Sequence, residues 1–506
     1  MSAPAVEVEL KLRFPPSRLR DVLASTALTS ARGSRSRMLS ATYYDTPALD
    51  LWRRRIALRI RREGGRWIQT VKGGGSVRGG THRRLEMETV VKRGKPDVSV
   101  LPRHALVRFL RSPGVAETLH PVMRTAIQRK SLMLEPAPGV LIEAAVDTGT
   151  ISARGRRERV SEIELELKNG PLTALYDIAR RLSAQLPLAL EHRSKAERGY
   201  ALYGAAEDAP LKAAPAGLAS GMTAGEAFQV IANEALQQVH ANEHGVTVSG
   251  DPEYLHQMRV GIRRLRSVLA LFRPMLDEAA ATQSAALRAL GARLGPARDW
   301  DVFIAEVLPA ARAQWPDAVL PAGFGRVCEA LRARARVSAI KSIKTNSYNK
   351  SMIALAVWIS AQSMHNGIMR RPAREFARRV LEQRHARVLK RGRHLARLTP
   401  AELHRLRIAV KQMRYAVEFF AGLFPARHMS ASRARLAALQ DILGRMNDAT
   451  MVSKLMAAVT AAAKSREVAA AAGRLAGWHA ALAEHHRAAL KPAWQEFRQQ
   501  GAGWRD

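Results

Sequence analysis

Six segments within the first 170 residues alternate apolar and charged side chains with a period of two. They are VEVELKL from Val6, IALRIRR from Ile56, RWIQTVK from Arg66, RRLEMET from Arg83, GVLIEAAVD from Gly139 and EIELELK from Glu162. Only an extended strand turns alternate residues to opposite faces, so each segment must build a sheet with one apolar and one charged face. EGG at 63–65, GGG at 73–75 and EPAPG at 135–139 punctuate the strands as turns. The glycines at 73–75 are expected to form a hairpin, since no GKS or GKT follows to make a phosphate-cradling loop. Helical spacing appears at about 16–26, 102–112 and 171–186. Up to about Tyr203 the pattern therefore predicts an antiparallel sheet or barrel with a few covering helices.

The pattern then changes. AAEDAPLKAAPAGLASG at 205–221 reads as a linker, and from 222 the apolar residues recur at helical spacing. The expected division is a first domain over 1–204, the linker, and an all-helical domain over 222–500. That second domain repeats itself. HQMRVGIRRLRSVLALF starts at His256 and HRLRIAVKQMRYAVEFF at His404, an offset of 148; LGPARDWD at Leu294 and LGRMNDAT at Leu443 are offset by 149. So constant a register indicates duplication. Two bundles, about 222–308 and 375–500, are expected to be joined by a Pro- and Gly-containing stretch. The fold class is α+β, multidomain.

A formal net charge of +37 calls for a polyanionic partner. Cys328 stands alone, which excludes an intrachain disulfide and a cysteine metal cluster. The opening MSAPAVEVELKL has no basic-then-apolar leader, and no apolar run reaches the roughly 18 residues of a membrane span. A cytoplasmic protein with no membrane partner is expected.

On the strands, Glu7, Glu9 and Lys11 share a face, as do Arg59 with Arg61, Arg84 with Glu86 and Glu88, Glu162 with Glu164 and Glu166, and Glu143 with Asp147. An ordinary antiparallel sheet would leave such charges in solvent. A closed barrel would instead converge them on one lumen, where cations hold phosphate oxygens and carboxylates hold hard divalent ions.

EVELK at 7–11 resembles the ExExK signature of the CYTH, or triphosphate tunnel metalloenzyme, family. YYDTP at 43–47, LRIRR at 58–62, TVKG at 70–73, HRRLEME at 82–88, IEAAVDTG at 142–149, SEIELELK at 161–168 and SKAERGY at 194–200 continue the resemblance in order. It implies an eight-stranded antiparallel tunnel that hydrolyses triphosphates with Mg2+ or Mn2+. By position it implies Glu7, Glu9, Asp147, Glu164 and Glu166 as metal-side carboxylates. Lys11, Arg59, Arg61, Lys72, Arg84, Arg129 and Lys195 become phosphate ligands, with Arg129 preferred to Arg124. Glu86, Glu88, Glu143 and Glu162 are catalytic or supporting carboxylates.

In the repeat, offsets of 0, +3, +7 and +10 fall within about 80° of arc on a helix. His256, Arg259, Arg263 and Arg266 form one cationic stripe, and His404, Arg407, Lys411 and Arg414 the other. Met258, Ile262, Leu265, Leu269 and Phe272 lie opposite the first, and Leu406, Val410, Met413, Val417 and Phe420 opposite the second. An unpaired stripe repels itself unless an anion neutralises it. HQMRVGIRRLR, LGPARDWD, HRLRIAVKQMRY and LQDILGRMND resemble the CHAD domain, which implies two helical bundles binding inorganic polyphosphate. His256, Arg259, Arg263, Arg264, Arg266, His404, Arg407, Lys411 and Arg414 would line its site, with Asp299 and Asp448 holding cations in place. Lys411 and Gln412 stand where the first copy has Arg263 and Arg264, so unequal halves are expected. Histidine protonation is expected to tighten binding below about pH 6.5.

The function that follows is metal-dependent hydrolysis of inorganic triphosphate, or of a nucleoside or thiamine triphosphate, beside polyphosphate binding that would place the protein at polyphosphate granules. The alternatives are a non-catalytic polyphosphate scaffold and an adenylate cyclase acting on ATP. Specific nucleic-acid binding is disfavoured, because the stripes lack interleaved aromatics for stacking.

Overall fold

The computed structural model describes every residue except 1–4, 30, 79–80, 206–208, 315–319, 363–366, 368, 500–502 and 506. Part of the expected linker, 206–208, lies outside the described residues. The chain forms two compact units, residues 1–209 with 345–361, and residues 210–344 with 362–506.

In the first unit the alternating segments become strands β1 (Ala5–Arg13), β2 (Ser34–Asp45), β3 (Ala57–Glu63), β4 (Arg66–Arg78), β5 (Thr81–Val91), β6 (His120–Ala137), β7 (Val140–Ala153) and β8 (Arg156–Asn169). They run in the order β5-β4-β3-β2-β6-β7-β8-β1, and a β1–β5 pairing closes the ring into an eight-stranded antiparallel barrel. A two-residue strand β9 (Ala189–Leu190) adds beside the end of β1. Closure opposes Glu7 to Arg84, Glu9 to Glu166 and Lys11 to Glu164 in register. Paired residues share a face, so the charged positions turn inward together.

GGG at 73–75 is not a hairpin. β4 runs through it, with a register shift between Gly73 and Ser76 that marks a bulge. Gly74 sits at positive φ, and its neighbours give clearance: a Cβ on Gly73 would sit 2.6 Å from Leu106 Cδ1, and one on Gly75 2.7 Å from the Arg83 carbonyl oxygen. EGG does turn, with Gly64 and Gly65 both at positive φ.

Short helices α1 (Leu19–Leu23), α2 (Thr26–Thr29), α3 (Asp50–Arg53) and α4 (Val115–Thr118) join the strands. The expected helix over 102–112 is only 3-10 turns, Ala105–Val107 and Phe109–Arg111. α5 (Thr173–Gln185) buries Leu175, Ile178, Ala179 and Leu182. α6 (Lys195–Tyr203) begins at a capping box in which Ser194 and Glu197 satisfy each other's backbone N–H groups.

The second unit holds α7 (Ala224–Val248), α8 (Pro252–Phe272), α9 (Ala279–Val302), α10 (Leu308–Gln314) and α11 (Ala322–Ile343). The stretch between the repeats is thus largely helical. Its last helix, α12 (Asn346–Ala361), belongs to the first unit and packs on α5 and β9. α13 (Ala373–Arg391), α14 (Pro400–Phe420), α15 (Ala426–Ala462) and α16 (Arg466–Gln499) complete the second unit. Duplication is visible in α8 and α14, both 21 residues long and both opening on a proline behind a side-chain N-cap, Asp251 or Thr399. The apolar positions expected opposite each basic stripe are all buried.

Candidate functional site

The barrel encloses a cavity of about 240 Å³ lined by nine cations and seven carboxylates. Of the residues expected there from sequence, Glu7, Glu9, Lys11, Arg59, Arg61, Lys72, Arg84, Glu86, Glu88, Arg129, Glu143, Glu164, Glu166 and Lys195 line it. Arg124, the alternative to Arg129, is exposed. Asp147 and Glu162 do not reach the lining; both are buried behind it.

At the buried end, Lys11 Nζ lies 2.8 Å from Glu164 Oε1 and 3.0 Å from Glu9 Oε1. Arg129 donates from two nitrogens to Asp147, at 2.7 and 2.6 Å, and also reaches Glu164. Asp147, Glu162 and Glu164 bring carboxylate oxygens within 4.8 Å of one another, a spacing that could hold a metal ion. Lys195 already meets that trio: its ammonium is 2.7 Å from Asp147, 2.9 Å from Glu164 and in contact with Glu162. Arg198 takes the other Glu162 oxygen at 2.8 Å. Lys195 lies beyond the last alternating segment, and α6 carries it.

Nearer the opening, Lys72 pairs with Glu7 at 2.6 Å and Glu86 at 3.2 Å. Arg61 pairs with Glu88 and Glu63, both at 3.1 Å. Arg37, Tyr43 and Lys168 also line the cavity, and sequence reading missed them. Arg37 falls in SRSRMLS, where serine between arginines gives no apolar alternation. Lys168, which holds Glu166 at 2.6 Å, was readable as the next inward position after Glu166. Three lining guanidinium groups, Arg37, Arg59 and Arg61, each keep a buried Nε–H with no acceptor.

Burial alone would neutralise these groups, and their partners oppose it. Burial works to raise Glu164, yet Lys11, Lys195 and Arg129 hold it well below the usual carboxylate range. Burial works to lower Lys11, yet Glu164, Glu9 and Glu162 carry it well above the usual lysine value. At Glu7 and Glu166 burial wins and both carboxyl groups are raised.

In the second unit the two stripes feel one another: burial lowers both Arg407 and Lys411 of α14, and Arg263 of α8 adds to it in each case. Arg407 and Lys411 line a cavity of about 350 Å³ with Gln440, Asp441, Gly444, Arg445 and Asp448. Arg259, Arg263, Arg266 and Arg407 each bury an Nε–H without an acceptor. Asp299 draws on Arg259 and Asp448 on Arg407, as duplicated partners. Three expectations change. Arg264, expected to line the polyphosphate site, is buried, 3.6 Å from Glu418, with its guanidinium over the Phe419 ring. Arg414 is taken by Glu418 at 2.7 Å and by Gln440 at 2.8 Å. Burial, followed by Arg298, pushes His256 down to about 4, out of the pH range in which it was expected to act. His404 is exposed.

Known proteins match along both units. A CYTH domain model matches residues 5–200 and a CHAD domain model residues 230–457. The chain is a CYTH–CHAD protein. Its CHAD part is similar to the crystal structure of the CHAD domain from the plant Ricinus communis, 31% identical over 58% of this chain and 98% of that one, with a TM-score of 0.51. PptA from Streptomyces chartreusis is similar at 19% identity over 54% of this chain and 99% of that one, with a TM-score of 0.43. An inorganic triphosphatase of Haemophilus influenzae is 32% identical over 197 residues, 39% of this chain. This CYTH–CHAD chain spans about half of that relative, 54% of its length.

Proposed function

We propose that the barrel hydrolyses inorganic triphosphate with Mg2+ or Mn2+, and that the CHAD helices retain inorganic polyphosphate. The observation that carries the first part is the charged lumen, with buried Nε–H donors on Arg37, Arg59 and Arg61 that lack acceptors. An unmet buried donor is costly, and a phosphate oxygen supplies what it lacks. The lining also favours an inorganic substrate. Only Tyr43, Ala57, Ser194 and Ala196 are uncharged, which leaves no apolar wall for a nucleobase or thiamine ring. The similarity to an inorganic triphosphatase supports the same reading.

The donor set suits a hard divalent ion, because the lumen offers carboxylate oxygens and no sulfur. Glu7, Glu9, Glu164 and Glu166 would hold it. When bound, the ion would offset phosphate charge and lower the pKa of a water. Lys11, Arg59, Arg61, Lys72, Arg84, Arg129 and Lys195 bind the phosphate oxygens, exchanging carboxylate partners for substrate. Asp147, behind the lining, would join the metal-side carboxylates in place of the Arg129 and Lys195 it pairs with, as Glu164 would, and Glu162 anchors Lys195 and Arg198. Glu86, Glu88 and Glu143 hold the outer cations.

In the helical unit Arg259, Arg263, Arg266, Arg407 and Lys411, with His256 and His404 beside them, form the polymer site. Arg264 and Arg414 brace it from behind. Glu164→Gln should abolish phosphate release from triphosphate at saturating metal while polyphosphate retention stays at the wild-type level. Turnover within tenfold of wild type in that variant would remove the catalytic reading.

A further inference from the structure

Lys411 is the one lysine in the two cationic stripes; the matching position on α8 is Arg263. Its side chain points into the 350 Å³ cavity. Charged groups face it from α8, α14 and α15, and Arg384 of α13 holds the adjacent Gln412 at 2.6 Å. Arg259 and Arg263 face it from α8, Arg407 and Arg414 from its own helix, and Asp441, Arg445 and Asp448 share the cavity wall from α15. Glu418 and Gln440 occupy Arg414, and among the described residues no carboxylate oxygen lies within 4.0 Å of the Lys411 ammonium. A primary amine so enclosed is the only member of the cluster that can give up its proton near neutrality, because guanidinium groups stay charged.

We infer that polyphosphate binding by the helical unit is coupled to the uptake of one proton at Lys411 Nζ. This rests on the polyphosphate reading above. The free site lowers its own charge by letting this amine go neutral, and the arriving polyanion restores it. Burial, with Arg263, Arg407, Arg414 and Arg259 adding to it, pushes Lys411 down to about 7. Below that value the group is charged both free and bound, and no proton moves. Above it the free site is neutral, the bound site charged, and each binding event takes up close to one proton. Affinity must then fall as pH rises, with a slope approaching one decade per pH unit. The residue pattern alone assigns this role to histidine. His256 is pushed down to about 4 and cannot fill it.

The test uses the full chain and long-chain inorganic polyphosphate, whose few end groups contribute little titration of their own. Calorimetry at pH 8 in two buffers of different ionisation enthalpy counts the protons taken up. Wild type should take up nearly one, and its Kd should rise about eightfold from pH 6.5 to 8.0. Lys411→Arg should bind with the same affinity at both pH values and take up none. Uptake that is equal in wild type and Lys411→Arg overturns the inference and leaves polyphosphate binding standing. Absence of binding by wild type at any pH overturns the binding reading itself.

Discussion

Gly199 decides how closely α6 lies on the barrel, and hence where Lys195 is held. A Cβ at this position would stand 1.7 Å from Met123 Sδ and 3.2 Å from Ile151 Cγ2. Met123 is buried on β6 and packs in the cluster that contains Ala196 and Tyr200 of α6. It cannot swing into solvent, so Gly199→Ala must lift the helix or displace β6. Overpacking of this kind costs about 1–3 kcal/mol. Lys195, one turn earlier on α6, should lose its 2.7 Å and 2.9 Å contacts with Asp147 and Glu164. Met123→Ala alone opens a cavity and costs about 2–5 kcal/mol. The double variant should be better than the sum of the two, since the new methyl enters the space the thioether leaves. A favourable coupling of roughly 1–3 kcal/mol is expected. Denaturant unfolding of the full chain, with hydrogen exchange followed on α6 and β6 peptides, measures it. Triphosphate turnover should fall in Gly199→Ala and recover in the double variant. Additivity within about 0.5 kcal/mol would refute the steric account.

Arg264→Ala should lower the unfolding midpoint while changing polyphosphate Kd less than about threefold, and Arg263→Ala should do the reverse; paired unfolding and binding curves separate them. A chain ended at Gly221 lacks α12 and bares the α5 and β9 surface it covers, so it should bind a hydrophobic dye that the full chain does not. Six or more buried apolar side chains leave with that helix, each worth about 1.5–3 kcal/mol at most. Because Glu164 is held well below the usual range, its contribution to stability is complete above about pH 4.5, where the unfolded carboxyl is ionised, and is lost as pH falls from there through the lower folded value. Acid unfolding should show that dependence in wild type and a flatter one in Glu164→Gln. Polyphosphate affinity should fall with salt at a slope near −3 to −4 in log–log form, about 0.7 for each of the five stripe cations proposed to contact phosphate.

The barrel was legible because closure needs only alternation, and charges such as those of Glu7, Glu9 and Lys11 recur in phase with it. What escaped reading depended on clearance or on distant partners. GGG at 73–75 looks the same in sequence whether it turns a hairpin or bulges a strand; Leu106 and the Arg83 carbonyl decide, and neither is a neighbour in the chain. α12 reads like any other Ala-rich helix, and only its packing on α5 assigns it to the barrel. Arg264 sits one residue from the stripe, and 100° of helix turns it toward Glu418 instead. That partner lies on the second copy, so only the folded duplication could reveal it.

The two cationic sites meet opposite constraints. A lumen closed by hydrogen-bonded strands removes its charges from water, and an ammonium such as that of Lys11 survives there only between Glu164 and Glu9. A small anion entering must therefore displace carboxylates, and those carboxylates need a new cation. The charge balance of the wall thus favours the proposed pairing of an anionic substrate with a metal ion. The helical cavity is more open, and among the described residues Arg259, Arg263, Arg266 and Arg407 make no ion pair, whereas the lumen arginines Arg37, Arg59 and Arg61 do. Water can still screen such a site when it is empty. Its uncompensated charge suits the proposed polyphosphate ligand, whose phosphates would supply the missing counter-charge. Neutralising Lys411 is how an uncompensated cluster reduces its own repulsion before that ligand arrives.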